Sequence, residues 1–200
     1  MLQRINEVIA ELEKKGYNLK KDDEIKIPQA FQKIEMIGKQ IYANFEMLEE
    51  YKLIADFFEN GTQGRSLALI GAPGTGKTFF ATRLLPVLLK MELNKECTLV
   101  NATELADNLR KYKQQNYLVV DDVGTEEDAM EYGNKTHQFS EWINSVEYRD
   151  CFSVITTNLN GEQIKKKYDA RVYDRIKGCF KVILFKNQSF RKQFLKNLCE

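Results

Sequence analysis

The chain has 200 residues, of which 43% are hydrophobic and 30% charged, with three prolines and eleven glycines. This length suits one ordinary domain, and the composition excludes a disordered tail, a collagen-like repeat and a low-complexity linker. The net charge is +1, but residues 161–200 hold eleven Lys or Arg against four Asp or Glu. That basic end suits a polyanion partner, a contact between subunits of opposite charge, or simply a solvated helix face.

The sequence contains no signal for secretion or for a membrane. No apolar run approaches the roughly 20 residues of a membrane-spanning helix, and the first residues alternate apolar with charged side chains. The cysteines at positions 97, 151, 179 and 199 have neither Cys-x-x-Cys nor metal-ligand spacing. We therefore expect free thiols and a cytoplasmic protein that does not bind a membrane.

The first predicted elements are helices. Leu2, Ile5, Ile9 and Leu12 recur at helical spacing and are followed by a charged stretch that ends at Pro28. We expect residues 1–35 to form a short helical segment that binds a partner or docks on its own domain, and residues 36–200 to form that domain. Two more helices are indicated by the apolar sets Ile34, Ile37, Ile41 and Leu48, Tyr51, Ile54, Phe58.

From residue 66 onward, short apolar runs alternate with amphipathic stretches. The runs predict strands at residues 67–70, 98–100, 117–120, 152–155 and 180–185. The stretches between them predict helices at residues 78–90, 103–112, 135–147 and 162–176. Near-continuous apolar strands that alternate with helices indicate an α/β fold with a parallel sheet covered on both faces.

A glycine-rich loop lies between the first predicted strand and the next helix. Glycines let the backbone wrap a phosphate with its N–H groups, and the helix points its positive end at the same place. Lys77 can reach the β- and γ-phosphates, and Thr78 can offer a hydroxyl to Mg²⁺. The sequence therefore predicts a nucleoside triphosphate site formed by Gly71, Ala72, Pro73, Gly74, Thr75, Gly76, Lys77 and Thr78.

Two carboxylates end the third predicted strand. Asp121 and Asp122 follow four apolar residues, so they lie at the carboxyl edge of the sheet, beside the glycine-rich loop. Asp121 is expected to hold Mg²⁺ through water, and Asp122 to orient and deprotonate the attacking water. Alone, the pair could be a turn into Gly124, but the glycine-rich loop favours the metal site.

Later motifs add three candidates. Asn158 follows a strand that ends in Thr-Thr, so its amide can lie next to the γ-phosphate, or it can cap the next helix. Arg171 and Arg175 lie on one helical face before the last strand. They can serve a phosphate, or they can pair with Asp169 and Asp174.

In this order the motifs resemble those of the AAA+ ATPases, and more narrowly the DnaC/IstB group of helicase loaders and transposition helper ATPases. The resemblance covers about residues 42–191. It implies a three-layer P-loop NTPase fold with a five-stranded parallel sheet, a short helical N-terminal segment and no C-terminal helical lid. Loaders often have two helices that contact single-stranded DNA between the strands that correspond to 98–100 and 117–120. Only one helix is predicted there, so direct DNA binding is expected to be weak.

The resemblance also implies roles for individual residues. Asp122 stands where many AAA+ ATPases have Glu, so hydrolysis is expected to be slow. Arg175 is the candidate for an arginine finger that reaches the nucleotide of a neighbouring subunit, with Arg171 in reserve. The other implied roles are Walker A at Lys77 and Thr78, Walker B at Asp121 and Asp122, sensor 1 at Asn158, and an entry segment near the adenine at Tyr42.

The resemblance implies an ATPase that uses ATP and Mg²⁺ and acts as a switch in loading a replicative helicase. ATP-bound copies are expected to form a homo-oligomer, and the partner to be a replicative helicase or another replication or transposition protein. The alternatives are an IstB-like transposition helper, a P-loop small-molecule kinase, or a module that holds ATP without turnover. The acidic pair and Asn158 suit water more than the hydroxyl of a kinase substrate.

Overall fold

The computed structural model describes residues 24–126, 138–149 and 151–186, with Glu11, Lys14 and the backbone of residues 129–131 and 134–136. The helix predicted at residues 2–12 and the end of the chain after residue 186 lie outside these ranges. Within them, no helix is both long and apolar enough to cross a membrane.

Helices and strands alternate along the described chain. Helices α1 (Ala30–Ile41) and α2 (Glu49–Glu59) pack together and precede strand β1 (Ser66–Gly71). Helix α3 then begins with Lys77–Phe79, continues through a π-helical segment, Phe80–Leu84, and ends with Leu85–Leu93. The remaining elements are β2 (Thr98–Asn101), α4 (Ala102–Asp107), α5 (Leu109–Tyr112), β3 (Tyr117–Val123), β4 (Ala129–Glu131), β5 (Asn134–Thr136), α6 (Gln138–Val146), β6 (Phe152–Thr157), α7 (Gly161–Lys167), α8 (Ala170–Cys179) and β7 (Phe180–Phe185).

The predicted five-stranded parallel sheet is confirmed, with the strand order β2-β3-β6-β1-β7. Because side chains alternate between the faces of a strand, β1 contributes to two cores. Leu67 and Leu69 pack with α1, α2 and α3, whereas Ala68 packs with α4 to α8. The sheet is therefore the middle of three layers. Since β6 lies between β1 and β3, the carboxyl ends of these three strands are neighbours at one edge.

Helix α3 differs from the uninterrupted helix predicted at residues 78–90. Pro86 has no N–H to donate to the carbonyl four residues earlier, and its ring crowds that carbonyl. The π-helical turn at Phe80–Leu84 comes just before it, and such turns accommodate a local change in hydrogen-bond register. The helix continues after this turn.

Two other predicted helices are each divided in the structure. Residues 162–176 form α7 and α8 because the side chain of Asp169 accepts a hydrogen bond from the Val172 N–H and starts a new helix. Residues 103–112 form α4 and α5, which meet at Asn108. The connection between β2 and β3 therefore holds one interrupted helical stretch.

The helix predicted from residue 135 begins later, at Gln138. Residues 134–136 instead form β5, which pairs antiparallel with β4. This pairing satisfies backbone groups between two segments, and helical spacing within one segment gives no sign of it. Along the chain, the two-stranded ribbon lies between β3 and α6.

The described part of the predicted N-terminal segment packs into the domain. Four of its side chains belong to the core formed by α1, α2 and α3: Ile25, Ile27, Ala30 and Ile34. Helix α1 also continues across the boundary predicted between residues 35 and 36. Residues 24–35 therefore pack into the core of the domain, while the boundary and the role of residues 1–35 as a segment stay predictions.

Candidate nucleotide site

The glycine-rich loop joins the end of β1 to the start of α3, as predicted. Gly74 and Gly76 adopt left-handed backbone angles, with φ of 80° and 102°, which favour glycine. A Cβ at Gly76 would lie 2.6 Å from the Tyr51 hydroxyl oxygen, and that hydroxyl donates a hydrogen bond to the Gly76 carbonyl at 2.9 Å. Burial, with a smaller effect of Glu50, raises the pKa of Tyr51, so its hydroxyl stays protonated. Tyr51 thus supports the loop from α2.

The side chain of Lys77 points back into the loop. Its ammonium donates to the carbonyls of Gly71 at 2.7 Å and Ala72 at 2.8 Å, and to Asn158 Oδ1 at 3.0 Å. Lys77 is only 4% exposed. Burial lowers its pKa, while the carboxylates of Asp122 and Asp121 oppose this shift. A buried cation with mostly neutral ligands is well suited to receive an anion.

Thr78 and Asp121 face each other across the site. The Thr78 hydroxyl donates to Asp121 Oδ1 at 3.0 Å. Thr156 on β6 donates to the same oxygen at 2.5 Å, and its own oxygen accepts from the Asp122 N–H at 2.9 Å. Thr156 therefore fixes both acidic residues, a role that sequence analysis did not assign.

Asp122 lies in an irregular part of β3. The pairing of β3 with β6 shifts register between Val120 and Val123, and Asp122 has a φ of 55°, an uncommon angle for a residue other than glycine. This register shift includes both acidic residues, and the two residues have different contacts. Asp121 contacts Thr78, and Asp122 stands one residue further along the edge.

Asn158 follows β6, next to the two threonines. Thr157 holds the end of this strand, because its hydroxyl donates to the Val123 carbonyl at 2.6 Å and accepts from the Leu159 N–H at 3.1 Å. Asn158 does not cap the next helix, because Asn160 caps α7 by accepting a hydrogen bond from the Gln163 N–H. Asn158 instead meets Lys77 at the glycine-rich loop.

The residues present fit a Mg²⁺-bound triphosphate. A hydroxyl and a carboxylate that lie 3.0 Å apart are hard oxygen ligands of the kind that Mg²⁺ prefers. The loop opens at the start of a helix, and its buried lysine supplies the positive charge that phosphates require. Thr78 and Asp121 are therefore the residues that would hold the metal ion.

Tyr42 lies at the end of α1 and is 53% exposed. The Phe45 N–H donates to the Tyr42 carbonyl at 2.9 Å, and the Phe45 ring stacks on Tyr51 with centroids 5.9 Å apart. The turn after α1 is therefore linked to the glycine-rich loop through Phe45 and Tyr51. A contact between Tyr42 and adenine stays a prediction.

Arg171 and Arg175 lie far from this site. Both line a cavity of about 700 Å³ together with Arg65, Ser66, Arg149, Cys151 and Cys179. Ser66 begins β1, and Cys151 and Cys179 directly precede β6 and β7, so the cavity is at the amino edge of the sheet. A six-residue strand spans about 17 Å, which separates Arg175 from the glycine-rich loop of its own chain.

Arg175 forms contacts within its own chain at that edge. Its guanidinium pairs with the Glu147 carboxylate and lies over the Tyr148 ring, 5.9 Å from its centroid. The sequence indicated Asp169 and Asp174 as alternative partners of the two arginines. For Arg175 the observed partner is instead Glu147, which α8 reaches because it packs against α6.

One family model matches part of the chain. The model is described as RNA helicase, and it matches residues 67–159. This stretch begins in β1 and ends just beyond Asn158, so it includes the glycine-rich loop, both carboxylates and the threonine pair. No curated protein is similar enough in sequence to match the chain.

Solved structures show a similar fold at low identity. DnaI has 19% identity and a TM-score of 0.52, with the match covering 80% of this chain and 82% of DnaI. AMPPCP-bound DnaA from Aquifex aeolicus has 18% identity and a TM-score of 0.54, covering 78% of this chain and 53% of DnaA. Replication initiator DnaA bound to AMPPCP and single-stranded DNA has 16% identity and a TM-score of 0.53, with the match covering 82% of this chain and 56% of that DnaA chain.

These similarities and the strand order define the fold class. The chain has an α/β, three-layer P-loop NTPase-like fold with a five-stranded parallel sheet, similar to the fold of DnaI and DnaA. The three-layer α/β fold with a five-stranded parallel sheet, which the motifs implied, is therefore confirmed. The chain spans about half the length of DnaA.

Proposed function

We propose that the chain binds and hydrolyses ATP and, as a DnaC/IstB-like AAA+ protein, acts as a switch in loading a replicative helicase. One observation carries the ATPase proposal. Four side chains from two strand ends and one helix start converge, with Lys77 bonded to Asn158 and Thr78 bonded to Asp121. Their chemistry is that of triphosphate binding and attack by water.

Each residue has a distinct task in this proposal. Lys77 binds the β- and γ-phosphates, and exchanges its present carbonyl ligands for phosphate oxygens. Thr78 and Asp121 hold Mg²⁺, which neutralises charge on the phosphates when bound. Asp122 accepts the proton of the attacking water, and the Asn158 amide orients that water. Because Asp is shorter than Glu, we expect slow turnover.

A second copy supplies the remaining positive charge. Arg175 is at the opposite sheet edge from its own glycine-rich loop, so it serves the nucleotide of a neighbouring copy. A guanidinium can distribute its donors over the equatorial oxygens of the γ-phosphate, and such fingers contribute ~10³–10⁵ in rate in other nucleotide hydrolases. Arg175 must exchange Glu147 for this role. Hydrolysis is therefore expected to depend on assembly.

The partner is proposed from the motif order and the fold. The DnaC/IstB resemblance favours a replicative helicase, and a transposase is the alternative partner. One of the similar structures is of DnaA bound to AMPPCP and single-stranded DNA. Here single-stranded DNA is proposed as a weak ligand, because only one interrupted helical stretch connects β2 to β3. Binding of purified helicase, transposase and single-stranded DNA, each with and without ATP, separates these partners.

Replacement of Lys77 by Ala tests the nucleotide site. A buried charge-assisted contact contributes about 3 kcal/mol, so we expect ATP affinity to fall roughly 100-fold. Titration with a fluorescent ATP analogue measures this change. Lys90→Ala is the matched control, because Lys90 lies in the same helix α3 but pairs with Glu96. Equal affinity in Lys77→Ala and the wild type would overturn the site assignment.

A further inference from the structure

The loop after β3 contains a buried carboxylate that the proposed ATPase chemistry does not use. Glu126 is only 7% exposed. Its Oε2 accepts a hydrogen bond from the Gly124 N–H at 2.8 Å, and its Oε1 accepts one from the Tyr168 hydroxyl. A buried carboxylate is costly unless it is fully hydrogen-bonded. Here both carboxylate oxygens of Glu126 have a hydrogen-bond donor.

Glu126 holds a loop whose backbone is in an unfavourable conformation. Gly124 has a φ of 106°, and a Cβ there would lie 2.6 Å from Leu159 Cδ1. Two residues earlier, Asp122 has a φ of 55°. Such left-handed angles cost on the order of 1–3 kcal/mol in residues other than glycine, and persist where neighbouring contacts enforce them.

Hydrogen bonds within residues 122–126 enforce this conformation. The Thr125 hydroxyl and N–H donate to the Asp122 carbonyl at 2.8 and 3.2 Å. The Gly124 N–H donates to the Glu126 carboxylate. The Asp122 N–H is fixed separately by Thr156. The backbone of Asp122 is therefore held from both sides.

The same carboxylate reaches the connection between α7 and α8. Tyr168 lies there, buried, with its ring packed on Phe139 at a centroid distance of 4.8 Å. The neighbouring Lys167 donates to the Glu126 carbonyl at 2.8 Å. Because α8 begins two residues later and carries Arg171 and Arg175, Glu126 joins the Asp122 loop to the arginine-bearing helix.

We propose that Glu126 is a positioning residue, which holds Asp122 in its working orientation and links this loop through Tyr168 to helix α8. The inference rests on the proposed ATPase function. Glu126 itself contacts no phosphate or water in this mechanism; it acts through the backbone of residues 122–124. A displacement of Asp122 by about 1 Å is enough to slow a reaction on the order of 100-fold.

The test compares three variants in steady-state ATP hydrolysis and in ATP-analogue binding. Glu126→Ala removes both hydrogen bonds, and we expect kcat to fall about 10- to 100-fold, with KM and the analogue Kd within about twofold of wild type. Glu126→Gln keeps an acceptor for Gly124 and a polar partner for Tyr168, so it should restore most of kcat. Tyr168→Phe cuts only the link to α8 and should give an intermediate kcat.

A second glutamate–tyrosine pair provides the control. The Tyr112 hydroxyl donates to Glu104 Oε1 in the α4–α5 region, and Tyr112 is as buried as Tyr168. Tyr112→Phe therefore makes the same chemical change away from the Asp122 loop, and should leave kcat unchanged. Thermal denaturation of all variants shows whether each remains folded.

The outcomes separate the inference from the proposed function. If the wild type neither binds nor hydrolyses ATP, the ATPase proposal is wrong and the inference falls with it. If the wild type hydrolyses ATP but Glu126→Ala keeps its kcat, the inference alone is overturned. The same holds if kcat, KM and Kd all change in Glu126→Ala, or if Tyr112→Phe lowers kcat as much as Tyr168→Phe.

Discussion

Thr156 shows how one buried hydroxyl organises the acidic end of β3. It donates to Asp121 and accepts from the Asp122 N–H, and it is fully buried. The two carboxylates come from adjacent residues but need different orientations. A single hydroxyl on the neighbouring strand provides both contacts, one to the Asp121 carboxylate and one to the Asp122 backbone N–H.

Replacement of Thr156 by Val keeps the shape and removes the hydroxyl. Two half-buried groups, the Asp121 carboxylate and the Asp122 N–H, then lose a partner. We therefore expect the free energy of unfolding to fall by about 1–3 kcal/mol, and ATP hydrolysis to fall at least tenfold. Thr62→Val is the control, since the Thr62 hydroxyl accepts from the buried Ile25 N–H outside the site. Chemical denaturation and phosphate release measure both effects. A Thr156→Val enzyme with wild-type turnover would contradict this role.

The sequence predicted the residues whose own chemistry is diagnostic, and missed those that act through a distant contact. Lys77, Thr78 and Asp121 are recognisable because their side-chain types and spacing match phosphate and Mg²⁺ binding. Tyr51 and Glu126 have no such local pattern. Their roles arise from hydrogen bonds to residues 25 and 42 positions away in the chain, which only the tertiary fold brings together.

At the scale of elements, the loop before α3 depends on a glycine that no other residue replaces well. Gly76→Ala places a methyl group 2.6 Å from the Tyr51 oxygen at a φ of 102°, so we expect loss of ATP affinity and of stability. Gly178→Ala is the matched change, because nothing lies within 4 Å of its Cβ position in α8. That variant should gain roughly 0.5–1 kcal/mol of stability. If Gly76→Ala binds ATP like Gly178→Ala, the loop geometry described here is wrong.

The strands were predicted more accurately than the helices. Buried parallel strands are continuous apolar runs, so residues 67–70 and 152–155 lie within β1 and β6. Helix ends depend on competition between local contacts. Asp169 starts α8 in the middle of one predicted helix, and β5 includes residues 135 and 136 from the start of another.

At the scale of the whole molecule, residues 1–34 fall into two parts. Residues 25–34 contribute four buried side chains to the core, whereas residues 1–23 carry the apolar stripe proposed to recruit a partner. Deletion of residues 2–23 should leave ATP binding intact and abolish capture of the partner. Deletion of residues 2–34 should unfold the domain, because it exposes the core under α1. Circular dichroism and a binding assay with the purified helicase distinguish the two. Retained capture after the shorter deletion would refute the recruiting role.

The two ends of the proposed catalytic machinery lie at opposite edges of one sheet. Lys77, Asp121 and Asn158 are at the carboxyl edge, and Arg175 is near the amino edge, paired with Glu147. No movement within a rigid three-layer domain brings them together. A complete hydrolytic site in this proposal therefore contains residues from two copies.

The most direct measurement mixes two inactive variants. Lys77→Ala has an intact arginine but a weakened ATP site, and Arg175→Ala has an intact nucleotide site but no finger. We expect each alone to release little phosphate from ATP, and the mixture, at concentrations where the wild type is assembled, to recover part of wild-type phosphate release. If the mixture releases no more phosphate than its separate components while the wild type is active, the two-copy ATPase site is wrong.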